Sequence, residues 1–391
     1  MINPALPIWV ICTAATASVI VRPFRWPEAI WAVSGAALLV ILGLVTSASA
    51  LAAIAKGADV YLFLTGMMLL SEAARAEGLF DWVADTAVNH ANGSPKRLFA
   101  LVYGAGILVT TFLSNDATAV VLTPAVFAAA KRAKAEPLPL LFACAMIANA
   151  ASFVLPISNP ANLVLYGGHM PPLRDWLVSF ALPSFASIAV TFFVLRRVER
   201  KRLTGRCESS VDRAALSRGG WAALTGIIVT AILLLVMSAL DRPLGLATCI
   251  AGLLTTIGTC LMGRRSPVRL LAAVSWGVLP LVAGLFVLVE ALDQTGVIGV
   301  IAAALGRAST ANSPLAAAGA GSVLAVASNL LNNLPAGLIA STAITQAHVP
   351  KLVVDCLLIG VDLGPNLSIT GSLATILWLS AIRREGEDVG F

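Results

Sequence analysis

Twice in this chain a short, amide-rich polar motif interrupts otherwise continuous hydrocarbon. The first is Ser114-Asn115-Asp116-Ala117-Thr118, the second Ser328-Asn329-Leu330-Leu331-Asn332-Asn333-Leu334-Pro335. Each lies between two apolar stretches with no charged loop beside it. Polar backbone and a carboxylate at that depth are tolerated only where protein or a water-filled cavity surrounds them. Paired breaks in corresponding halves of a sequence mark a transporter fold made of inverted repeats, with its binding site near the bilayer midplane.

Composition agrees with a membrane setting. Of 391 residues 58% are hydrophobic and only 12% charged, and the mean hydropathy is +0.90. Soluble domains carry about 25% charged residues. A membrane helix takes roughly 20 apolar residues, so the length allows about ten spans and their connections. The net charge of +6 is expected to sit in loops and to set topology rather than to bind nucleic acid. Cys12, Cys144, Cys207, Cys249, Cys260 and Cys356 are scattered, with no two at metal-ligand spacing. Neither a disulfide framework nor a metal site is expected, and no cofactor motif occurs. The first apolar stretch lacks a basic leader and a small-residue cleavage site, so it reads as a retained helix.

The expected fold is all-α and polytopic, with about nine or ten transmembrane helices plus two re-entrant hairpins. In the first half, apolar runs predict helices near 6–21, 29–49 and 60–74, then an amphipathic piece at 78–92. A hairpin follows near 98–131, then a helix over 137–167 broken at Pro156-Ile157-Ser158-Asn159-Pro160, and a closing helix near 180–195. Residues 1–197 thus form a first repeat plus that closing helix, and 198–220 a polar cytoplasmic linker. Residues 221–391 form the second repeat: helices near 221–240, 244–262 and 268–289, a hairpin near 312–346, and a helix over 352–382 broken at Asp362-Leu363-Gly364-Pro365-Asn366. If the N-terminus lies outside and the C-terminus in the cytoplasm, with the first hairpin opening inward and the second outward, only Lys56, Arg174, Arg242, Arg307 and Lys351 of the 26 basic residues fall outside. That asymmetry supports the orientation and location in the cytoplasmic (inner) membrane.

Each half therefore offers a hairpin tip and a broken helix, which present free backbone groups and dipole ends at midplane depth. Asn115, Asn159, Asn162, Asn329, Asn332, Asn333 and Asn366 lie at or near these breaks. An amide both donates and accepts, so the lining suits a neutral, hydroxyl-rich solute or a dehydrated cation. The plainer reading of any one Asn is a local helix cap, but capping does not call for breaks at membrane depth. No Lys or Arg lies at any break, which disfavours a multiply charged anion, although helix N-termini alone hold carboxylates. Asp116 is the sharpest single residue. A carboxylate there costs about 2.5–3.5 kcal/mol on insertion scales, which suits a group that takes up and releases a proton; a fixed capping role is the alternative. Asp362, before the last break, is the next candidate. Glu72, Asp59, Glu290, Asp293 and Asp355 lie nearer span ends and read as interfacial; His90, His169 and His348 read as solvated. There is no GxxxxGK[ST] phosphate loop, no HExxH and no Ser/His/Asp set at depth, so the chain does not read as an enzyme.

The motifs resemble the arsenite efflux permease family (arsenical pump membrane proteins) of the ion transporter superfamily. The matching stretches are FLSNDATAVVLTPAV (Phe112–Val126), VLPISNPANLVLYG (Val154–Gly167), SNLLNNLPAGLI (Ser328–Ile339) and DLGPNLSITGSLATILW (Asp362–Trp378). The resemblance implies efflux of trivalent arsenic and antimony, as arsenite and antimonite, in exchange for protons. It also implies, in some members, a cytosolic arsenite-stimulated ATPase subunit. By motif match the substrate would meet Asn115, Ser158, Asn159, Asn162, Asn332, Asn333, Gly364, Asn366, Thr370 and Ser372, and protons would use Asp116 and Asp362. Sodium-coupled carboxylate carriers of the superfamily carry Ser-Asn-Thr in both hairpins. Here the tips read Ser-Asn-Asp and Asn-Asn-Leu-Pro, which argues against sodium coupling. A carboxylate or cation transporter of the same fold, and the channel subunit of an ATP-driven pump, are the competing readings.

Overall fold

The computed structural model describes residues 5–167, 170–213, 215–368, 371–384 and 386. Among these the secondary structure is helical throughout, with no strand. The first half contains α1 (Ala5–Val21), α2 (Glu28–Ile41), α3 (Ser47–Lys56), α4 (Ala58–Ala76), α5 (Leu79–Ala91), α6 (Pro95–Phe112), the single turn α7 (Asn115–Ala117), α8 (Thr123–Arg132), α9 (Pro137–Ala150), α10 (Pro160–Tyr166) and α11 (Leu173–Val198). The second contains α12 (Arg218–Ala239), α13 (Gly245–Gly263), α14 (Pro267–Ala273), α15 (Val278–Gln294), α16 (Val297–Ala311), α17 (Ser313–Leu331), α18 (Asn333–Ala347), α19 (Lys351–Leu363) and α20 (Leu373–Arg384).

The order of elements recurs. Two helices, a pair of helices joined at a break, a single helix, a helix–break–helix and a broken helix appear in each half; α11 has no counterpart. Two predicted spans divide, and a third begins early, where a hydropathy profile cannot show it. The run expected over 29–49 stops at Ile41, turns through Gly43 at φ +67°, and restarts at Ser47, where the Thr46 hydroxyl accepts from Ser49 N at 3.1 Å. The next helix begins earlier than expected, at Ala58, and bends by 50° from α3 at Gly57. The span expected over 268–289 splits into α14 and α15 around Ser275-Trp276-Gly277. All the residues at these turns are apolar or small, so the composition barely changes. Helix α16 lies in a stretch not predicted as helical.

Among the described residues five helical segments are long and apolar enough to cross a membrane: Leu173–Lys201, Arg218–Ala239, Gly245–Gly263, Pro267–Gln294 and Ser313–Leu331. The bent pair α3–α4 makes a sixth if it is one span. Four shorter apolar helices, α1, α2, α9 and α16, add to them. Helix α11 leaves Val178, Leu182, Phe185 and Phe193 exposed along its length, as a helix in hydrocarbon does. The protein is a multi-pass membrane protein.

The chain forms two compact units, each drawn from both sequence halves. The first comprises Met1–Leu64, Ala161–Met170 and Ser275–Ser372; the second comprises Thr65–Pro160, Pro171–Val274 and Leu373–Phe391. Within the first unit α15 packs on α1, α2, α3 and α18, and α17 packs along α19. That last contact is a backbone approach: a Cβ added to Gly360 would lie 2.3 Å from the Gly321 carbonyl oxygen, and one on Gly364 2.6 Å from the Ala325 backbone. Small residues permit such packing where lipid gives no hydrophobic drive between helices. Within the second unit α9 is the central element, buried against α6, α8, α11 and α20.

The linker is tied down inside the second unit. Cys207 N donates to Gly93 O at 3.1 Å and Glu208 N to Ala133 O at 2.8 Å. The Asn89 side chain pairs with both backbone groups of Val211, at 2.7 and 3.2 Å. Arg213 donates to Thr86 Oγ1 at 2.9 Å, and Ser217 Oγ to Glu77 Oε2 at 2.5 Å.

Candidate functional site

In the second unit, α6 ends at Phe112 and the chain runs through Leu113 and an extended Ser114 (φ 178°, ψ 166°) before turning helical again at Asn115. The Ser114 hydroxyl caps the new start, accepting from Ala117 N at 3.2 Å. Asn115 Oδ1 accepts from Asp116 N at 2.9 Å. Both side chains are buried, while Asp116 is half-buried and its carboxylate has no partner among the described residues. Thr118–Leu122 continues as a π-helical stretch, a widened turn that occurs mostly at functional positions. The Thr118 hydroxyl meets that of Thr110 at 2.8 Å, closing the tip against α6.

The broken helix comes to this tip. After α9 the chain unwinds through residues 151–155, makes a 3-10 turn at Pro156–Ser158, and passes through an extended Asn159 into α10. Ser158 Oγ accepts from Leu155 N at 3.1 Å and donates to Thr111 O at 3.2 Å, so the break is bonded to the hairpin. Unwinding leaves carbonyls that must be satisfied. Helix α11 does this: Trp176 Nε1 and Ser184 Oγ donate to Phe153 O at 3.1 and 3.2 Å, and Ser187 Oγ donates to Ala150 O at 3.0 Å. The sequence reading missed all three, because a Trp and two Ser on an apolar helix carry no motif. It also missed Thr111, whose buried hydroxyl oxygen has no partner among the described residues.

In the first unit the break between α17 and α18 is one residue, Asn332, at φ 74° and ψ 151°. Ser328 and Asn329 still belong to α17, so the polar motif begins within the first arm. Asn332 Oδ1 accepts from Leu334 N at 3.3 Å, and Asn332 and Asn333 are buried. Asn329 ties the hairpin to the other break. Its Nδ2 donates to Gly364 O at 2.9 Å and to Ala325 O at 2.7 Å, and its Oδ1 accepts from Ser368 Oγ at 2.7 Å. A Cβ on Gly371 would approach Asn329 Oδ1 to 2.7 Å, so this contact needs glycine there. Asp362 is fully buried in the last turn of α19, and Asn366 is half-buried in the 3-10 turn Gly364–Leu367. Ser372 is buried just beyond, and Asn162 is buried on α10. Thr370 lies outside the described residues.

The sequence-predicted residues thus divide. Asn115, Asp116, Ser158 and Asn159 belong to the second unit; Asn162, Asn332, Asn333, Asp362, Gly364, Asn366 and Ser372 belong to the first. Among the described residues no group of three His, Cys, Asp or Glu could hold a metal ion. The six cysteines are free, and Cys356, half-buried on α19, sits against Gly321 rather than at a break.

The first unit also holds a cavity of about 470 Å³ that includes none of these residues. Its polar lining includes Lys56, Asp59, Glu290, Asp293, Ser341 and Gln346. Three of these, Asp59, Glu290 and Asp293, had read as interfacial span ends.

Residues 11–381 match the CitMHS family, described as citrate transporter. Among curated relatives, an arsenical pump membrane protein of Yersinia enterocolitica is 25% identical over 83% of this chain and 79% of its own length. That of Escherichia coli K12 is 24% identical over the same shares. An uncharacterized transporter of Mycobacterium tuberculosis is 26% identical over 96% of this chain and 90% of its own. Among solved structures, the Alcanivorax borkumensis YdaH transporter, reported to have an unusual topology, superposes with a TM-score of 0.59. The match covers 99% of this chain and 92% of that one, at 16% identity.

Proposed function

The chain belongs to the citrate transporter (CitMHS) family, and on that premise we propose that it is a secondary exporter of arsenite and antimonite, driven by protons moving inward. The observation that carries this reading is the chemistry of the four breaks. They offer amides, hydroxyls, glycines and freed backbone groups, with Asp116 and Asp362 as the only ionisable side chains and no Lys or Arg. A tricarboxylate is ordinarily clamped by cations, Arg above all. Arsenous acid is a small neutral trihydroxyl species near neutral pH, and amides pair with its hydroxyls in both senses. The relatives named arsenical pump membrane proteins, matching most of this chain, support the same substrate class.

In this mechanism Asp116 takes a proton from the outer side and gives it up inside, and protonation alternates with solute binding. Exchange of one proton for one neutral solute moves one charge, worth about 2.3 kcal/mol per 100 mV, or roughly a fiftyfold gradient before any pH term. The protein acts in the cytoplasmic membrane, with its N-terminus outside, its C-terminus inside, and the two hairpins opening to opposite faces. A cytosolic ATPase subunit is the alternative source of energy.

The test is uptake into everted membrane vesicles bearing this chain alone. Arsenite uptake driven by an imposed proton gradient, and lost with an uncoupler, is the expected result. Uptake of citrate in place of arsenite overturns the substrate assignment. Arsenite uptake that survives the uncoupler but requires ATP overturns the coupling.

A further inference from the structure

The cavity in the first unit has a polar mouth and an apolar floor. At the mouth Lys56 Nζ lies 2.8 Å from Glu290 Oε2, and Gln294 Nε2 donates to Glu290 Oε1 at 3.3 Å. Gln346 Nε2 donates to Asp293 Oδ1 at 2.8 Å, and Asp59 adds a third carboxylate to the lining. Three acids against one base leave a net of two negative charges around the opening. The floor is Leu163, Val164, Phe286, Val289 and Leu338.

Helix α18 joins this space to the second hairpin tip. It begins at Asn333, and Ser341, Thr342 and Thr345 of the same helix line the cavity. Ser341 is eight residues on, or about 12 Å along the helix axis. Thr342 and Thr345 donate to carbonyls one turn back, at 3.1 and 3.0 Å, which leaves their oxygens open as acceptors. The Ser341 hydroxyl, half-buried beside Gly167, has no partner among the described residues. Midway along the helix from tip to cavity, a Cβ on Gly337 would reach ordinary contact with Val164 at 3.7 Å and Val361 at 3.8 Å, so the packing there is apolar.

We propose that this cavity is an outward-opening vestibule that accepts small neutral or cationic hydroxyl-bearing solutes and turns anions away. It is a second station for cargo between the second hairpin and the extracytoplasmic solution. The outward direction rests on the orientation proposed above; the selectivity rests on the lining alone. The volume holds a small triol together with several waters, since a water occupies about 30 Å³. Converging fields in a cleft lined by one sign of charge raise or lower the local concentration of charged solutes by about tenfold or more.

The experiment uses Ser341→Cys in an otherwise cysteine-free chain, with Thr342→Cys as a second reporter. A cationic and an anionic methanethiosulfonate are added to intact cells, and their rate ratio is normalised to that of a free thiol in solution. Labelling from outside with the cationic reagent favoured by about tenfold is expected. Adding Glu290→Gln and Asp293→Asn should bring the ratio to within about threefold of the free thiol as the field is removed. A ratio equal to the free thiol at both reporters overturns the selectivity, and labelling only from the cytoplasmic side overturns the direction. Neither readout uses arsenic. Reporter chains that show the ratio, together with a wild-type protein that moves no arsenite, therefore keep the vestibule and remove the substrate reading.

Discussion

The two hairpin tips solve the same backbone problem in different ways. At the first, the chain leaves the helix through Leu113 and an extended Ser114, whose hydroxyl caps the restart. The tip carries Asp116, whose carboxylate is left without a partner among the described residues. At the second, a single residue with positive φ, Asn332, makes the break, and a neighbouring amide, Asn329, is bonded to Gly364 and Ser368 of the unwound helix. The first tip is built around an ionisable group, the second around a saturated neutral network. A repeated order of elements does not bring symmetry of chemistry: in the proposed mechanism one tip serves the proton and the other the neutral solute.

The comparison breaks most sharply at Asp116. Asp116→Asn should lower uphill arsenite efflux by about a hundredfold or more, since coupling needs a titrating group, while exchange of arsenite down its gradient continues. Equal loss of both modes in everted vesicles would show that Asp116 serves the solute as well. At the other tip, Asn329→Leu removes the amide bonded to Gly364 O and Ser368 Oγ, at about 1–3 kcal/mol, so arsenite affinity should fall about tenfold with proton coupling unchanged. A smaller effect separates the two backbones. Asn332→Gly relieves a positive φ and should raise the melting temperature by about 2 °C, despite the lost cap. Ser114→Gly relieves nothing, removes a cap and should lower it by a similar amount, about 2 °C. Shifts of the same sign in a thermal melt would mean that the tips are alike after all.

Much of this was legible in the chain because membranes punish unpaired polar groups. The amide motifs, the helix–break–helix segments and both broken helices were readable from polar residues standing in apolar sequence. What stayed hidden was what hydrocarbon permits without comment. The turn at Gly43, the split at Ser275-Trp276-Gly277 and helix α16 differ from their surroundings in geometry and hardly in hydropathy. The groups that complete the breaks, Trp176, Ser184 and Ser187, carry no spacing signal because their partners are carbonyls far away in sequence. The cavity was hidden for the same reason: Lys56 and Glu290 are 234 residues apart, and each alone is an unremarkable charge at the end of a span.

The linker between the halves is bonded at Gly93, Ala133, Asn89, Thr86 and Glu77, so it is a strap belonging to the fold and not a slack tether. Its exposed turn at Thr204-Gly205 precedes every one of those bonds. Covalent continuity at that turn is therefore expected to be dispensable. Two separate polypeptides, 1–204 and 205–391, made in the same cell should find each other through the strap and reconstitute a working transporter. The protein would then behave as a heterodimer whose two genes happen to be fused.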